Sequence, residues 1–255
     1  MYTRKRYVTR QGIVVEEYHS ANYPLPGGKR GQRKKATPEQ VKKNNQREKE
    51  RKIRVLLMEN FSPSDYHTVL TYRKEERPID LEECKNDLRK LIRKLRSWYR
   101  KKEKELLWVA NIERGSRGAW HIHMIINRID GLDVQLQKFW PFGRPRNVLI
   151  EDAEGLGKLA VYISKETEAE EDGELEVIHG FTRSRNLRMP APEKKHYRHW
   201  KTWNRANPRI PKGCYIDKES YREWEDCFGY PHREYTLFRT MDRREHGNTR
   251  IRGDG

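Results

Sequence analysis

Apolar positions along the chain fall into two spacings, and the change from one to the other marks the predicted elements. Tyr66 to Tyr72 (YHTVLTY) is a short β-branched and aromatic run that predicts a strand. From Leu81 the spacing lengthens. Leu81, Cys84, Leu88, Leu91, Ile92, Leu95 and Trp98 recur at three- and four-residue steps behind the capping signal of Asp80 and Glu83, which predicts a long helix. Leu106 to Glu113 (LLWVANIE) and Ala119 to Asn127 (AWHIHMIIN) flank the glycine-bearing turn RGSRG and predict a hairpin. A short helix over Val134 to Trp140, a strand over Asn147 to Ile150 and a helix over Leu156 to Glu168 complete the series. This order predicts an α+β fold in which helices pack on an antiparallel sheet.

The flanks lack this regularity. Residues 1 to about 52 show no apolar periodicity before Val55, which predicts a mostly disordered arm (1–54) with a fraying basic helix over 38–52. Beyond the central domain (55–190), the stretch 191–240 is basic and aromatic and is expected to pack on that core. It includes HYRHWKTW (His196 to Trp203), a predicted helix over Lys218 to Phe228 behind Asp217, and a predicted strand over Glu234 to Phe238. The last residues, 241–255, read as a disordered tail.

Composition sharpens the partition. The 255 residues are 34% hydrophobic and carry a net charge of +17. Residues 1–54 hold 16 Lys and Arg against 5 acids, and residues 181–255 hold 18 against 10, whereas residues 55–180 hold 21 against 23. A nearly neutral folded unit between two cationic arms points to a polyanionic partner, most commonly nucleic acid. No apolar run is long enough to span a bilayer. The start lacks the apolar segment of a signal peptide, and Cys84, Cys214 and Cys227 fit neither a disulfide framework nor a CxxC zinc site, so a reduced cytoplasmic setting is expected.

His121 and His123 share one face of their strand, with Ile122, Met124 and Ile126 directed to the other, so two imidazoles can converge on one cation. Glu113, just before the turn, is the candidate third ligand. Two imidazoles and a carboxylate suit Mn²⁺, or Mg²⁺ with waters and phosphate oxygens completing its shell. The plainer reading is a pair of ordinary polar residues on a solvated sheet face. In LGKLAVYISKE, Leu156, Leu159, Ala160 and Ile163 form one helix face and Lys158, Tyr162 and Lys165 gather on the other. Tyr162 lies off the apolar stripe and is the candidate nucleophile, with Lys165 beside it to favour phenolate or, more plainly, as a surface charge.

A glutamate on one strand, His-hydrophobe-His on the next and Tyr-x-x-Lys on a later helix together resemble the HUH endonucleases, specifically the single-tyrosine rolling-circle replication initiators (Rep proteins) of plasmids and small phages. Thr68 to Tyr72, then His121 and His123, then Tyr162 and Lys165 keep that family's motif order, whereas relaxases place the tyrosine before the histidines. The resemblance implies a ferredoxin-like or RRM-like antiparallel sheet of about five strands and a site-specific nick of single-stranded origin DNA. Tyr162 would attack the scissile phosphate and remain joined to the 5′ end, and Lys165 would orient the phosphate or a water. His121, His123 and Glu113 would hold Mg²⁺ or Mn²⁺. The resemblance extends over about 66–190, through Phe181-Thr182-Arg183-Ser184-Arg185 and Pro190. Lys158, Arg183 and Arg185, with the aromatic Trp200 and Trp203 as a stacking platform, are the expected DNA contacts. No Walker A motif is present, so a host helicase and a DNA polymerase are the expected partners. Two other readings stay open: an HUH transposase, and a non-catalytic RRM-like nucleic-acid-binding protein.

Overall fold

The computed structural model describes residues 2–19, 36–115, 118–164, 167–171, 174–178, 181–197, 208, 210–226 and 229–240. In chain order the elements are β1 (Tyr2–Val8), β2 (Gly12–His19), α1 (Pro38–Asn60), β3 (Tyr66–Thr71), α2 (Leu81–Lys101), β4 (Trp108–Arg114), β5 (Trp120–Ile126), α3 (Leu132–Phe139), β6 (Arg146–Leu149), α4 (Ala153–Ser164), β7 (Thr167–Glu171), β8 (Glu174–Ile178), β9 (Thr182–Arg183), β10 (Glu193–Tyr197), β11 (Cys214–Glu225) and β12 (Pro231–Arg239), with a single 3-10 turn at Lys74–Glu76. The fold is α+β, with two five-stranded antiparallel sheets and four helices among the described residues. The chain divides into two compact units, Asn60–Arg188 and Met1–Glu59 with Met189–Gly255. Among the described residues no helix is long and apolar enough to cross a membrane.

In the unit Asn60–Arg188 the strand order is β6-β3-β5-β4-β9. Leu70 lies opposite Ile122, which lies opposite Ile112, and Ile126 lies opposite Trp108, so these side chains share one face. They form one buried cluster with Leu81, Cys84, Leu88, Leu91 and Leu95 of α2 and Leu132 and Leu136 of α3. Asp80 caps α2, its Oδ1 accepting the Glu83 amide at 2.7 Å. Gly143 lets the loop after α3 close against the end of β3, where a Cβ would lie 2.1 Å from the Thr71 carbonyl oxygen.

Several expected boundaries move. Tyr99, not Trp98, completes the buried stripe of α2, because its hydroxyl reaches the Asn127 carbonyl. α3 begins at Leu132 and leaves Val134 exposed. α4 is described to Ser164, and Thr167 and Glu168, expected to lie in that helix, belong to β7, paired with β8. The two short runs flanking Asp172-Gly173 in the sequence are the missed hairpin signal.

The flanking segments depart most from expectation. Residues 2–19, expected to be disordered, form the β1–β2 hairpin, and Lys218 to Phe228, expected to be helical, falls largely in β11 (Cys214–Glu225). Together with β10 and β12 they make a sheet of order β10-β1-β2-β12-β11. α1 runs past the expected end at residue 52. It starts in a reciprocal capping box, with Thr37 Oγ1 accepting the Gln40 amide at 3.3 Å and Gln40 Oε1 accepting the Thr37 amide at 3.0 Å.

Charge pairing explains why so polar a segment folds. Register aligns Arg4, Glu17, Arg233 and Glu223 across one face and Lys5, Glu16, Glu234 and Arg222 across the other. Arg4 Nε lies 2.5 Å and Arg233 Nε 2.7 Å from Glu17, whose side chain is wholly buried. On the opposite face α1 supplies the counterions. Arg51 bridges Glu16 at 2.9 Å and Glu234 at 3.0 Å, and Glu50 receives Arg54 at 2.8 Å and Arg222 at 2.6 Å. Several cations of the expected free arms are therefore neutralised inside a sheet.

Burial alone would raise the Glu50 carboxyl, but Arg222 and Arg54 outweigh it and hold the group below its ordinary value of 4.5. A depressed carboxyl contributes stability above its unfolded pKa and loses it as pH falls through the folded value. Glu50→Gln removes the carboxylate shared by Arg222 and Arg54, leaving Arg54 a longer 3.9 Å contact to Asp217, and is expected to cost about 3 kcal/mol at neutral pH. Urea denaturation followed at several pH values checks this: the gap between wild type and Glu50→Gln should shrink below about pH 4.5.

Candidate active site

The site lies on the sheet face opposite the core of Asn60–Arg188. Pairing puts Glu113 opposite His121 and His121 opposite Thr71, while Asn111, His123 and Val69 form the adjoining row. The side-chain period of two requires this once Trp120, Ile122, Met124 and Ile126 are buried. α4 brings Tyr162 to the same place. Leu156, Gly157, Ala160, Ile163 and Ser164 are its buried positions, which leaves Tyr162 half-buried at the edge of that stripe. Asp152 caps the helix, its Oδ1 accepting the Gly155 amide at 2.7 Å.

Tyr162 is the centre of the cluster. Its hydroxyl donates to Glu113 Oε2 at 2.6 Å and lies 3.0 Å from His123 Nε2, with Glu113 Oε2 and His123 Nε2 themselves 3.3 Å apart. A phenol has one proton. While that proton is shared with Glu113, the contact to His123 is made by an Nε2–H donating to the phenolic oxygen. Burial and the Glu113 carboxylate push the Tyr162 phenol above its ordinary value. Burial also lowers His123 to about 4, with His67 and His121 adding to the effect and Glu113 opposing it, so its imidazole is neutral at pH 7.

His67 is a member that sequence reasoning missed. It sits on β3 opposite Ile125, its ring centroid 5.7 Å from that of His123 and 6.2 Å from that of Tyr162. Burial and the Arg146 charge lower its pKa. Arg146 lies opposite Val69 and so on this face as well. Neither residue belongs to a recognisable spacing, and only the pairing of β3 with β5 and β6 would have brought them out. Among the expected DNA contacts, Lys158 is exposed on α4, Arg183 is exposed on β9 opposite Val109, and Arg185 is exposed just beyond. Lys165, Trp200 and Trp203 lie outside the described residues.

The donors fit a divalent cation in chemistry. His67 Nε2 and His123 Nδ1 are buried without a hydrogen-bond partner, and imidazole and carboxylate together suit Mn²⁺ or Mg²⁺. The Tyr162 hydroxyl stands between Glu113 and His123, and among the described residues no three His, Cys, Asp or Glu side chains are gathered closely enough to hold an ion.

The fold and this cluster define an α+β protein with a tyrosine, a carboxylate and neutral imidazoles grouped on one face of an antiparallel sheet. Residues 65–168, from the start of β3 into β7, match the family described as replication-associated protein ORF2. The matched stretch holds Glu113, His121, His123, Tyr162 and Lys165 and is similar to that family, in agreement with the Rep resemblance of the motifs. No curated protein and no solved structure matches the chain.

The turn that ends β4 limits how the histidines can move. A Cβ at Gly115 would lie 3.1 Å from His121 Cε1 and 3.3 Å from Nδ1. Gly115→Ala is therefore expected to displace the His121 ring by a few tenths of an ångström with a stability change below about 1 kcal/mol. Histidine ring NMR signals report the shift, and unchanged His121 signals would show that the ring had room.

Proposed function

We propose that the protein is a rolling-circle replication initiator that nicks and rejoins single-stranded origin DNA through Tyr162. The observation that carries this reading is the Tyr162 hydroxyl held 2.6 Å from Glu113 and 3.0 Å from His123, within a stretch similar to replication-associated proteins. A phenol with a raised pKa is a poor nucleophile at pH 7 until something removes its proton. Glu113 is within transfer distance and does so.

The phenolic oxygen attacks phosphorus and the P–O3′ bond breaks. The 5′ phosphate stays joined to Tyr162, and the departing O3′ takes up the proton that Glu113 accepted and becomes a free 3′-OH. His123, donating through Nε2–H, steadies charge on the phenolic oxygen before attack. Attack of a 3′-OH on the phosphotyrosine reverses the step, breaks the Tyr162–phosphorus bond and closes the strand. His121, His123 and Glu113 would hold Mg²⁺ or Mn²⁺, which supplies polarisation of the phosphoryl oxygen when bound. Lys165 would orient the phosphate. Lys158, Arg183 and Arg185 would contact the backbone and Trp200 and Trp203 the bases, with a host helicase and polymerase extending the 3′ end in the cytoplasm.

The RRM-like alternative needs stacking aromatics on two neighbouring strands. On this face β4 and β5 present Val109, Asn111, Glu113, His121, His123 and Ile125 instead, while Trp108 and Trp120 are buried on the other. Incubation with origin single strand and Mn²⁺ should give a denaturation-resistant protein–DNA adduct that is lost in Tyr162→Phe and on chelation. An adduct that survives Tyr162→Phe would remove this tyrosine from the role, and no adduct from wild type would sink the enzymatic reading. His123→Ala should abolish the adduct and keep most DNA affinity, measured by fluorescence anisotropy, since phosphate contacts dominate binding.

A further inference from the structure

Outside the site, cations gather at one edge of the second sheet. A cavity of about 320 Å³ is lined by Arg4, Arg6, Glu193, Lys194, Lys195 and Tyr197, all from β1 and β10. β10 pairs with β1 so that Lys195 stands opposite Arg4 and Lys194 opposite Lys5. Like charges directly across a strand pair repel and cost stability. Arg4 and Lys5 are answered from β2 by Glu17 at 2.5 Å and Glu16 at 3.1 Å. Lys194 and Lys195 have no carboxylate partner among the described residues, and Lys195 is instead 5.4 Å from the centre of the Tyr197 ring. Arg6 is held only by a 3.5 Å contact to an exposed Glu193.

The cavity floor is rigid. Tyr197 stacks on Tyr2 at 4.5 Å between ring centroids and 9° between planes, and its hydroxyl accepts from Arg4 Nη1 at 3.1 Å. Arg4 is in turn fixed by the wholly buried Glu17. A preorganised concave surface with exposed cations that repel one another is complementary to closely spaced anions. Ordinary edge-strand protection explains lysines on β10, but not the gathering of Lys195 with Arg4 and Arg6 on one face, from which Lys194 is turned away beside Lys5.

We propose that this cavity is an anchoring site for phosphodiester groups of DNA, held by Arg6 and Lys195 with Arg4 and Tyr197 as its floor. The proposal takes the identity of the polyanion from the replication reading, but not the cleavage chemistry. It is tested on full-length Tyr162→Phe protein, which separates binding from nicking. Fluorescence anisotropy with labelled oligonucleotides of about 30 nucleotides, single-stranded and duplex, is followed against salt. Arg6→Gln/Lys195→Gln is expected to bind about fivefold more weakly at physiological salt. Its log–log salt slope should flatten by about 1.4 for a single strand and about 1.8 for duplex, at ~0.7 and ~0.9 for each phosphate no longer neutralised.

Arg89→Gln/Arg93→Gln on the exposed side of α2 makes the same charge change elsewhere. Equal losses in both double variants, or no loss in the first, would overturn the proposal. Lysine acylation of the unsubstituted cavity needs no variant to fold. Protection of Lys195 by single strand, by duplex or by both supports the site and names its source, whereas protection by neither overturns it. The cavity variant carrying an intact Tyr162 should still form the covalent adduct at saturating DNA, so loss of adduct from wild type would count against nicking and leave the anchoring site standing.

Discussion

The two-residue period of β5 is the constraint on which the site depends. Trp120, Ile122, Met124 and Ile126 enter the core with α2 and α3, so His121 and His123 have no choice but the other face. A slip of one residue would bury both imidazoles and expose the apolar row. Antiparallel pairing then transmits the choice sideways, setting Glu113 and Asn111 on one flank and Thr71, Val69 and His67 on the other. The energy that fixes the histidines is therefore hydrophobic burial on the far side of the sheet, not an interaction within the site.

What the site adds is a single short hydrogen-bonded chain. Tyr162 reaches Glu113 and His123 from a helix whose own buried positions are Leu156, Ala160 and Ile163. Burial keeps His123 neutral and makes the phenol harder to ionise, so the neighbouring carboxylate becomes the group on which proton removal depends. Packing and ionisation oppose each other here: the same desolvation that packs the ring keeps its hydroxyl protonated.

Charge has two distinct uses in the flanking unit. Glu16, Glu17, Glu50 and Glu234 are buried and paired with Arg4, Lys5, Arg51, Arg54, Arg222 and Arg233, which makes those cations structural. Most of the net surplus of +17 is carried by the remainder, including Lys194 and Lys195. Reading an arm as free because it is basic fails when its counterions come from far along the chain: Glu17 and Arg233 are 216 residues apart.

Local periodicity by itself determined the central elements: β3, the capped and striped α2, the β4–β5 hairpin and the face of each histidine follow from spacing that neighbouring residues set. The grouping of Glu113, His121, His123 and Tyr162 was legible for the same reason, since it needs only a hairpin and one helix. Tertiary structure decided the rest. His67 and Arg146 join the site only through strand pairing, Tyr99 is buried more deeply than Trp98, which still packs against the core, because its hydroxyl finds the Asn127 carbonyl, and residues 2–19 become strands because carboxylates and guanidinium groups distant in sequence cancel one another's desolvation cost. Periodicity records what a residue does with its near neighbours, whereas long-range charge pairing leaves no period to read.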